Sequence, residues 1–167
     1  MKQILAISLL LISFTIMGQD NSKCQCCNEK HAEFDFWVGT WNVTNPDGTP
    51  AGKNSIEKIQ DNCVLRENWT SAKSGYTGTS HNFFNGKTKQ WEQIWLDNQG
   101  QSLHLKGHKV GNKMILRTDD EINEEGLTFY HQLTWTANED GTVRQLWETF
   151  TNGKEVSIAF DGLYKKE

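Results

Sequence analysis

The chain's strongest structural signal is the stretch Phe34-Asp35-Phe36-Trp37-Val38-Gly39-Thr40-Trp41-Asn42-Val43. A short aromatic lead-in precedes Gly39, where the backbone can turn sharply, and Trp41 then enters a run of strand-forming residues. These are the parts needed to close one end of a β-barrel. The stretch therefore predicts an antiparallel barrel whose first strand begins near Thr40. We expect a short helical or turn lid over His31 to Trp37.

The residues before this stretch have the pattern of a secretory signal. Lys2 supplies positive charge, Ile4 to Met17 is mostly apolar, and the small Gly18 is followed by polar residues. The apolar run is shorter than the ~20 residues that a membrane-spanning helix needs. We therefore expect a signal peptide over residues 1–18, with cleavage near Gly18. The mature protein is then exported, periplasmic or extracellular, without a membrane span; a retained anchor is the alternative.

The length and charge of the remaining chain limit its organisation and its partners. About 149 residues are left after Gly18, which fits one domain. We expect a Cys-containing N-terminal segment over 19–33 and a barrel domain over 34–167. The net charge of -4 argues against nucleic acid and anionic membrane surfaces as partners, because both need a basic surface.

Four cysteines are expected to form disulfides in an oxidising compartment. Cys24, Cys26 and Cys27 lie close together, whereas Cys63 stands alone. The simplest scheme ties one of the three to Cys63 and pairs the other two with each other or with another molecule; the sequence leaves the connectivity open. The same thiols and His31 could gather a soft metal ion, but disulfide formation would consume them. No metal site is expected.

Turn signals typical of an all-β domain divide the rest of the chain. After Asp47-Gly48, glycine-containing pairs recur from Asn85-Gly86 onward, roughly every 11 to 15 residues. Alternating segments between them predict strands near 40–45, 52–59, 64–71, 77–84, 89–96, 102–108, 113–119, 127–136, 142–151 and 156–164. Eight to ten antiparallel strands close most simply into an up-and-down barrel, which has no sheet edges. A two-sheet sandwich is the alternative.

A polar-x-Trp pattern recurs in three of the predicted strands. Residues two apart in a strand share a face, so each pattern places a polar side chain beside an indole on one side of the sheet. An interior that mixes aromatic walls with a few polar groups is typical of a small-ligand pocket. The predicted ligand-binding residues are Glu67, Trp69, Trp91, Gln93, Trp95, His131, Gln145 and Trp147. A solid core made of the same residues is the alternative.

Several segments also resemble known barrel proteins. Gly39-Thr40-Trp41 after an aromatic turn resembles the signature of lipocalins and other calycins. A longer pattern resembles a family of small exported bacterial lipocalin-like barrel domains of unknown function; it comprises Phe34–Gly39, Cys63–Trp69, Trp91–Asp97 and Phe160–Tyr164. The resemblance covers nearly the whole mature chain and implies a lipocalin-like barrel, with no known activity. The arginine that lipocalins place near the last strand, packed over the Trp, is replaced here by Lys165 or Lys166.

Catalytic and cofactor-binding motifs are weak. The chain has no Gly-x-Ser-x-Gly elbow, but an indole-walled pocket could raise the pKa of Glu67 and let it act with His131 as acid and base. His81 or His131 could ligate a haem, although no haem-attachment motif is present. The acidic residues near Asp119 lack the spacing of a calcium loop.

The sequence therefore predicts an exported protein that holds a small hydrophobic or amphipathic molecule in its barrel, without a cofactor. An enzyme that uses the same cavity, a haem-binding barrel and a purely structural domain are the alternatives.

Overall fold

A computed structural model describes residues 24–73 and 75–167. The predicted signal peptide, residues 1–18, lies outside these residues. Two 3₁₀ helices, Glu29–Ala32 and Asp35–Trp37, precede the strands. The strands in this part of the chain are β1 (Gly39–Thr44), β2 (Pro50–Ile59), β3 (Val64–Ser71), β4 (Thr77–Asn85), β5 (Gln90–Asp97), β6 (Ser102–Val110), β7 (Lys113–Arg117), β8 (Glu121–Ile122), β9 (Thr128–Ala137), β10 (Val143–Thr151) and β11 (Lys154–Lys166).

The strands form one closed antiparallel barrel. Each strand from β1 to β6 pairs with the strand that follows it in the chain, β7 pairs with β9, β9 with β10, β10 with β11, and β11 returns to β1. Ten strands complete this circle, and the two-residue β8 pairs only with β9. The prediction of an all-β up-and-down barrel is confirmed, and the alternative of a two-sheet sandwich is wrong. Closure occurs because β11 can pair with β10 on one side and β1 on the other, which leaves no open edge.

The predicted seventh strand is interrupted. It was expected to run to Asp119, but β7 ends at Arg117 and regular pairing resumes only at β8. Between them the side-chain hydroxyl of Thr118 accepts a hydrogen bond from the backbone N–H of His131 at 3.0 Å. The backbone N–H of Thr118 still donates to the backbone oxygen of His131 at 2.9 Å, so the side-chain hydroxyl replaces only the return hydrogen bond of this pair, and the regular ladder ends at Arg117.

Alternation along each strand explains how the chain fills the barrel. In β1 the side chains of Trp41 and Val43 are buried while Asn42 between them is exposed. In β3 Leu65, Glu67 and Trp69 are buried in the same way. A slip of one residue in register would move each of these side chains to the solvent face. The register therefore determines which polar groups enter the barrel.

The N-terminal segment closes one end of the barrel, as predicted for a lid. Phe34 and Trp37 are fully buried and stack with ring centroids 5.0 Å apart. Phe34 also makes edge contacts with Trp91 and Trp135 from the barrel wall. The indole Nε1 of Trp41 donates to the backbone oxygen of Trp37 at 2.9 Å. Aromatic side chains from the lid and the wall thus fill this closed end.

Two disulfides secure the lid. Cys26 pairs with Cys63, in the connection between β2 and β3, and Cys24 pairs with Cys27. The prediction that one of the three N-terminal cysteines bonds to Cys63 is confirmed. The structure thereby chooses among the connectivities that the sequence left open.

Candidate functional site

A cavity of about 370 Å³ opens at the end of the barrel opposite the lid. Its walls come from the start of β2, the ends of β3 and β5, and parts of β6, β9, β10 and β11. This volume lies at the small end of the range of ~300–1,000 Å³ found for small-molecule sites. The apolar lining consists mainly of Trp69, Trp95, Leu103, Leu133, Trp147 and Phe160.

Most of the predicted ligand-binding residues meet at this cavity. These residues lie on three strands, β3, β5 and β10, and the barrel brings their side chains to one surface because they point inward at similar heights. Those that line the cavity are Glu67, Trp69, Gln93, Trp95, Gln145 and Trp147.

Trp91 lies elsewhere. It shares the inner face of β5 with Gln93 and Trp95 but sits at the closed end, where its indole Nε1 donates to the carboxylate of Glu33 at 3.1 Å. Its ring packs against Phe34 of the lid. Trp91 therefore belongs to the closure of the barrel and not to the cavity.

His131 does not line the cavity either. Its Nδ1 lies 3.0 Å from the hydroxyl of Thr149, and its ring makes an edge contact with the ring of Trp147, which does line the cavity. Burial lowers the pKa of His131 below its ordinary value. The structure thus does not place the expected acid–base pair, Glu67 and His131, together on the cavity surface.

Glu67 is held by neutral hydrogen-bond donors. Its side chain is only 3% exposed. Asn54 Nδ2 donates to Oε1 at 2.7 Å, and Ser80 Oγ donates to Oε2 at 2.5 Å. Within the described residues, no ion pair includes Glu67. Burial raises the pKa of Glu67 to about 7, although both donors act in the opposite direction.

A network of buried polar side chains continues from Ser80 across the barrel. Asn82 Nδ2 donates to Ser80 Oγ at 2.8 Å, and Gln93 Nε2 donates to Asn82 Oδ1 at 2.8 Å. On the other side of Glu67, Asn54 also donates to the hydroxyl of Tyr164 at 3.3 Å. This network forms the polar floor beneath the aromatic walls.

The network ends at the cavity on both sides. Beyond Asn54, the hydroxyl of Tyr164 donates to Gln145 Oε1. Burial, together with the charge of Glu67, raises the pKa of Tyr164 well above its ordinary value, so this hydroxyl stays protonated. Gln145 and Gln93 are the two carboxamides by which the network reaches the cavity lining.

Sequence reasoning missed the middle of this network, namely Asn54, Ser80, Asn82 and Tyr164. Three of these are small polar residues in strands, and their pattern resembles a solvent-facing row. The only signal in the sequence was that Ser80 and Asn82 alternate with Thr79 and His81, so neither face of that part of β4 is apolar. Such a strand has no sequence feature that identifies its inner face.

Some buried polar atoms in this region have no hydrogen-bond partner among the residues that the structure describes. They include Gln93 Oε1 and Asn54 Oδ1, which are acceptors, and Trp147 Nε1, which is a donor. Gln93 and Trp147 belong to residues that line the cavity, whereas Asn54 does not. Leaving such a group unpaired costs free energy.

Glycines determine where the aromatic walls stand. A Cβ atom on Gly52 would lie 2.6 Å from Cη2 of Trp69, and one on Gly162 would lie 2.6 Å from Cζ of Phe160. Gly78 has the same relation to Trp95. The rings of Trp69 and Trp95 each occupy the space that a side chain at the glycine on the adjacent strand would fill, and the ring of Phe160 does the same for Gly162 on its own strand, β11. The rings can therefore lie against the barrel wall and leave the centre open.

The remaining histidines and acidic residues form other contacts. His81 is exposed on the outer face of β4, and His104 Nε2 lies 2.9 Å from the carboxylate of Glu92. Lys106 and Arg117 pair with Asp119 and Asp120. In residues 24–73 and 75–167, no cluster of three or more metal-binding side chains was found. No helix in that part of the chain is long and apolar enough to cross a membrane.

Comparison with protein-family models and with curated proteins finds no match for this chain.

Proposed function

We propose that this protein is an exported binding protein that holds one small, partly apolar molecule in the open end of its barrel. The observation that carries the proposal is the cavity of about 370 Å³ with aromatic walls and a floor of buried polar groups. Apolar walls favour binding by removing ligand surface from water, and a few polar groups orient the ligand.

Export is supported by the signal-like N-terminus and by the two disulfides. The resemblance to exported lipocalin-like barrel domains adds to this argument. The ammonium of Lys166 lies over the ring of Trp41, 5.3 Å from its centre, so a cationic side chain packs on this Trp as the resemblance implies. We propose that the chain is related to those domains.

Native mass spectrometry of the protein, purified from the cells that export it, tests the proposal. The expected species lacks residues 1–18, has the mass deficit of two disulfides, and carries an additional small molecule that is released on unfolding. A variant with a larger side chain in the wall, Ala51→Leu, should lose that molecule because residue 51 lines the cavity. The proposal is wrong if no molecule is retained and a library of small neutral and charged compounds also fails to bind.

A second candidate is an enzyme that uses Glu67 alone as an acid or base. A carboxyl group whose pKa is about 7, in the lining of a cavity, is suited to proton transfer at neutral pH. Substrate turnover that is abolished in Glu67→Gln, with binding intact, would favour the enzyme.

A further inference from the structure

We infer that the molecule held in the cavity is a compact organic cation, such as an alkylated ammonium or a protonated nitrogen heterocycle. This inference rests on the proposed binding function and concerns the charge of the ligand. It follows from two features of one cavity: a buried carboxylate without a cationic partner among the described residues, and aromatic walls around it.

The first feature is Glu67. Asn54 and Ser80 satisfy hydrogen bonds of its two carboxylate oxygens, but both are neutral. A buried carboxylate is costly unless an opposite charge compensates it, because neutral donors replace only part of its hydration. A cation that enters the cavity from solution would supply the compensating charge.

The second feature is the wall. Trp69, Trp95, Trp147 and Phe160 line the same cavity, and Tyr76 stands at its rim. The faces of aromatic rings carry negative potential and attract cations, with Trp the strongest, and several rings around one site are the usual way to recognise quaternary ammonium groups. The same rings exclude water, which strengthens the attraction between a cation and Glu67.

Two unpaired hydrogen-bond acceptors near the polar floor also favour a cationic ligand. Gln93 Oε1 and Asn54 Oδ1 accept no hydrogen bond within the described residues, and Gln93 lines the cavity. Carbonyl oxygens carry partial negative charge, so they favour a cation or an N–H group over an anion.

Among the described residues, few other charged or titratable groups lie near the cavity. One is His131, whose ring contacts Trp147 and whose pKa burial lowers. The hydroxyl of Tyr164 stays protonated, and Tyr76 donates to Asp97 at the rim at 3.2 Å. Lys73 also lines the cavity, and its exposed position on the β3–β4 connection keeps it in water. Lys73 makes no ion pair with Glu67. It could instead attract an anion to the rim, which gives the experiment a competing outcome.

The test compares choline with 3,3-dimethylbutan-1-ol, in which carbon replaces the charged nitrogen. Both are titrated into the full mature protein at pH 8.5, with tryptophan fluorescence and calorimetry as readouts. We expect choline to bind about tenfold more tightly than the uncharged isostere. The affinity for choline should fall as pH is lowered through about 7, where Glu67 takes up a proton, whereas the affinity for the alcohol should stay constant.

Two variants locate the effect. Glu67→Gln keeps the size of the side chain and removes its charge, so it should abolish the preference for choline over the alcohol. Glu57→Gln is the matched control, because Glu57 is exposed and pairs with Arg66 outside the cavity. If Glu67→Gln fails to fold, the pH titration of the unmodified protein carries the same test.

The outcomes distinguish a failure of the cationic-ligand inference from a failure of the proposed binding function. Equal binding of choline and the alcohol, or tighter binding of acetate that is lost in Lys73→Ala, would show that the ligand is not a cation. The proposed function as a binding protein would still stand. If neither probe binds and the compound library also fails, the proposed function is wrong as well.

Discussion

Gly78 packs against the indole of Trp95 so closely that a side chain on residue 78 could not coexist with the ring. Gly78 and Trp95 lie on adjacent strands, β4 and β5, and both face the interior. Because Gly78 has no side chain, the ring of Trp95 can lie against β4 in the wall of the cavity. The same relationship recurs at Gly52 and Trp69, so two of the indoles in the cavity wall lie against glycines of an adjacent strand.

Gly78→Ala should therefore damage both stability and the cavity. The new methyl group must push the ring of Trp95 towards the centre of the barrel, and such overpacking typically costs about 1–3 kcal/mol. We expect a lower midpoint of urea unfolding and a loss of ligand binding, both followed by tryptophan fluorescence.

Gly86→Ala is the matched control for that substitution. A Cβ atom on Gly86 would meet nothing within 4 Å, so the change in stability should stay within about 0.5 kcal/mol. If Gly78→Ala behaves like Gly86→Ala in both measurements, the account of the wall is wrong.

The two disulfides should contribute unequally to stability. Cys26–Cys63 links residues 37 apart, whereas Cys24–Cys27 links residues 3 apart. Because a cross-link stabilises mainly by restricting the unfolded chain, the longer loop gives the larger effect. Replacing Cys26 and Cys63 by Ser should lower the free energy of unfolding by about 2–5 kcal/mol.

The Cys24→Ser, Cys27→Ser variant provides the comparison for this prediction, and its loss should be clearly smaller. Urea unfolding of both variants under non-reducing conditions makes the measurement. Equal losses would contradict the role assigned to Cys26–Cys63 in holding the lid.

Glu67 should make the protein less stable as pH rises. Burial raises its pKa from 4.5 to about 7, so between these pH values the folded protein binds a proton that the unfolded chain has released. This contribution is fully present below pH 4.5 and is lost as pH rises through 7, with a change of about 3 kcal/mol. Urea unfolding of the ligand-free protein at several pH values measures it.

Glu67→Gln isolates the effect, because the difference in stability between the original protein and this variant should shrink or reverse from pH 4.5 to pH 8. A difference that is independent of pH would mean that Glu67 titrates normally in the folded state.

Substitutions of Trp91 and Trp95 should have different effects, because Trp91 helps to close the barrel and Trp95 lines the cavity. Trp91→Phe removes the hydrogen bond to Glu33 at the closed end and should cost about 1 kcal/mol of stability while ligand binding is unchanged. Trp95→Phe should weaken binding, because Trp95 lines the cavity. Both are measured by calorimetric titration and urea unfolding. Weaker binding in Trp91→Phe would contradict its placement outside the cavity.

The barrel could be predicted because local signals repeat along the chain. Turn pairs such as Asn85-Gly86 and Asp140-Gly141 separate alternating segments, and the strands in the structure follow these segments closely. The break after Arg117 was not predicted, since it depends on the hydroxyl of Thr118 reaching the backbone of His131. That contact joins residues distant in sequence.

The cavity was harder to predict than the fold. The polar-x-Trp pattern identifies an inner face but not the height at which a residue lies in the barrel, so Trp91 and Trp95 look alike in the sequence although they lie at different ends. Ser80 and Asn82 look like solvent-facing residues, and only the closed barrel reveals that they support Glu67. The disulfide connectivity likewise required the three-dimensional arrangement.

The tryptophans allow the most direct test of the central claim. Of the seven in the chain, Trp69, Trp95 and Trp147 line the cavity, while Trp37, Trp41, Trp91 and Trp135 are buried elsewhere. The measurement is a ¹H–¹⁵N NMR spectrum of the indole groups, recorded with and without each hit from a library of small neutral and charged compounds. The account predicts that bound compounds shift the signals of the first three and leave the other four in place. Shifts confined to the other four, or no shift with any compound, would contradict it.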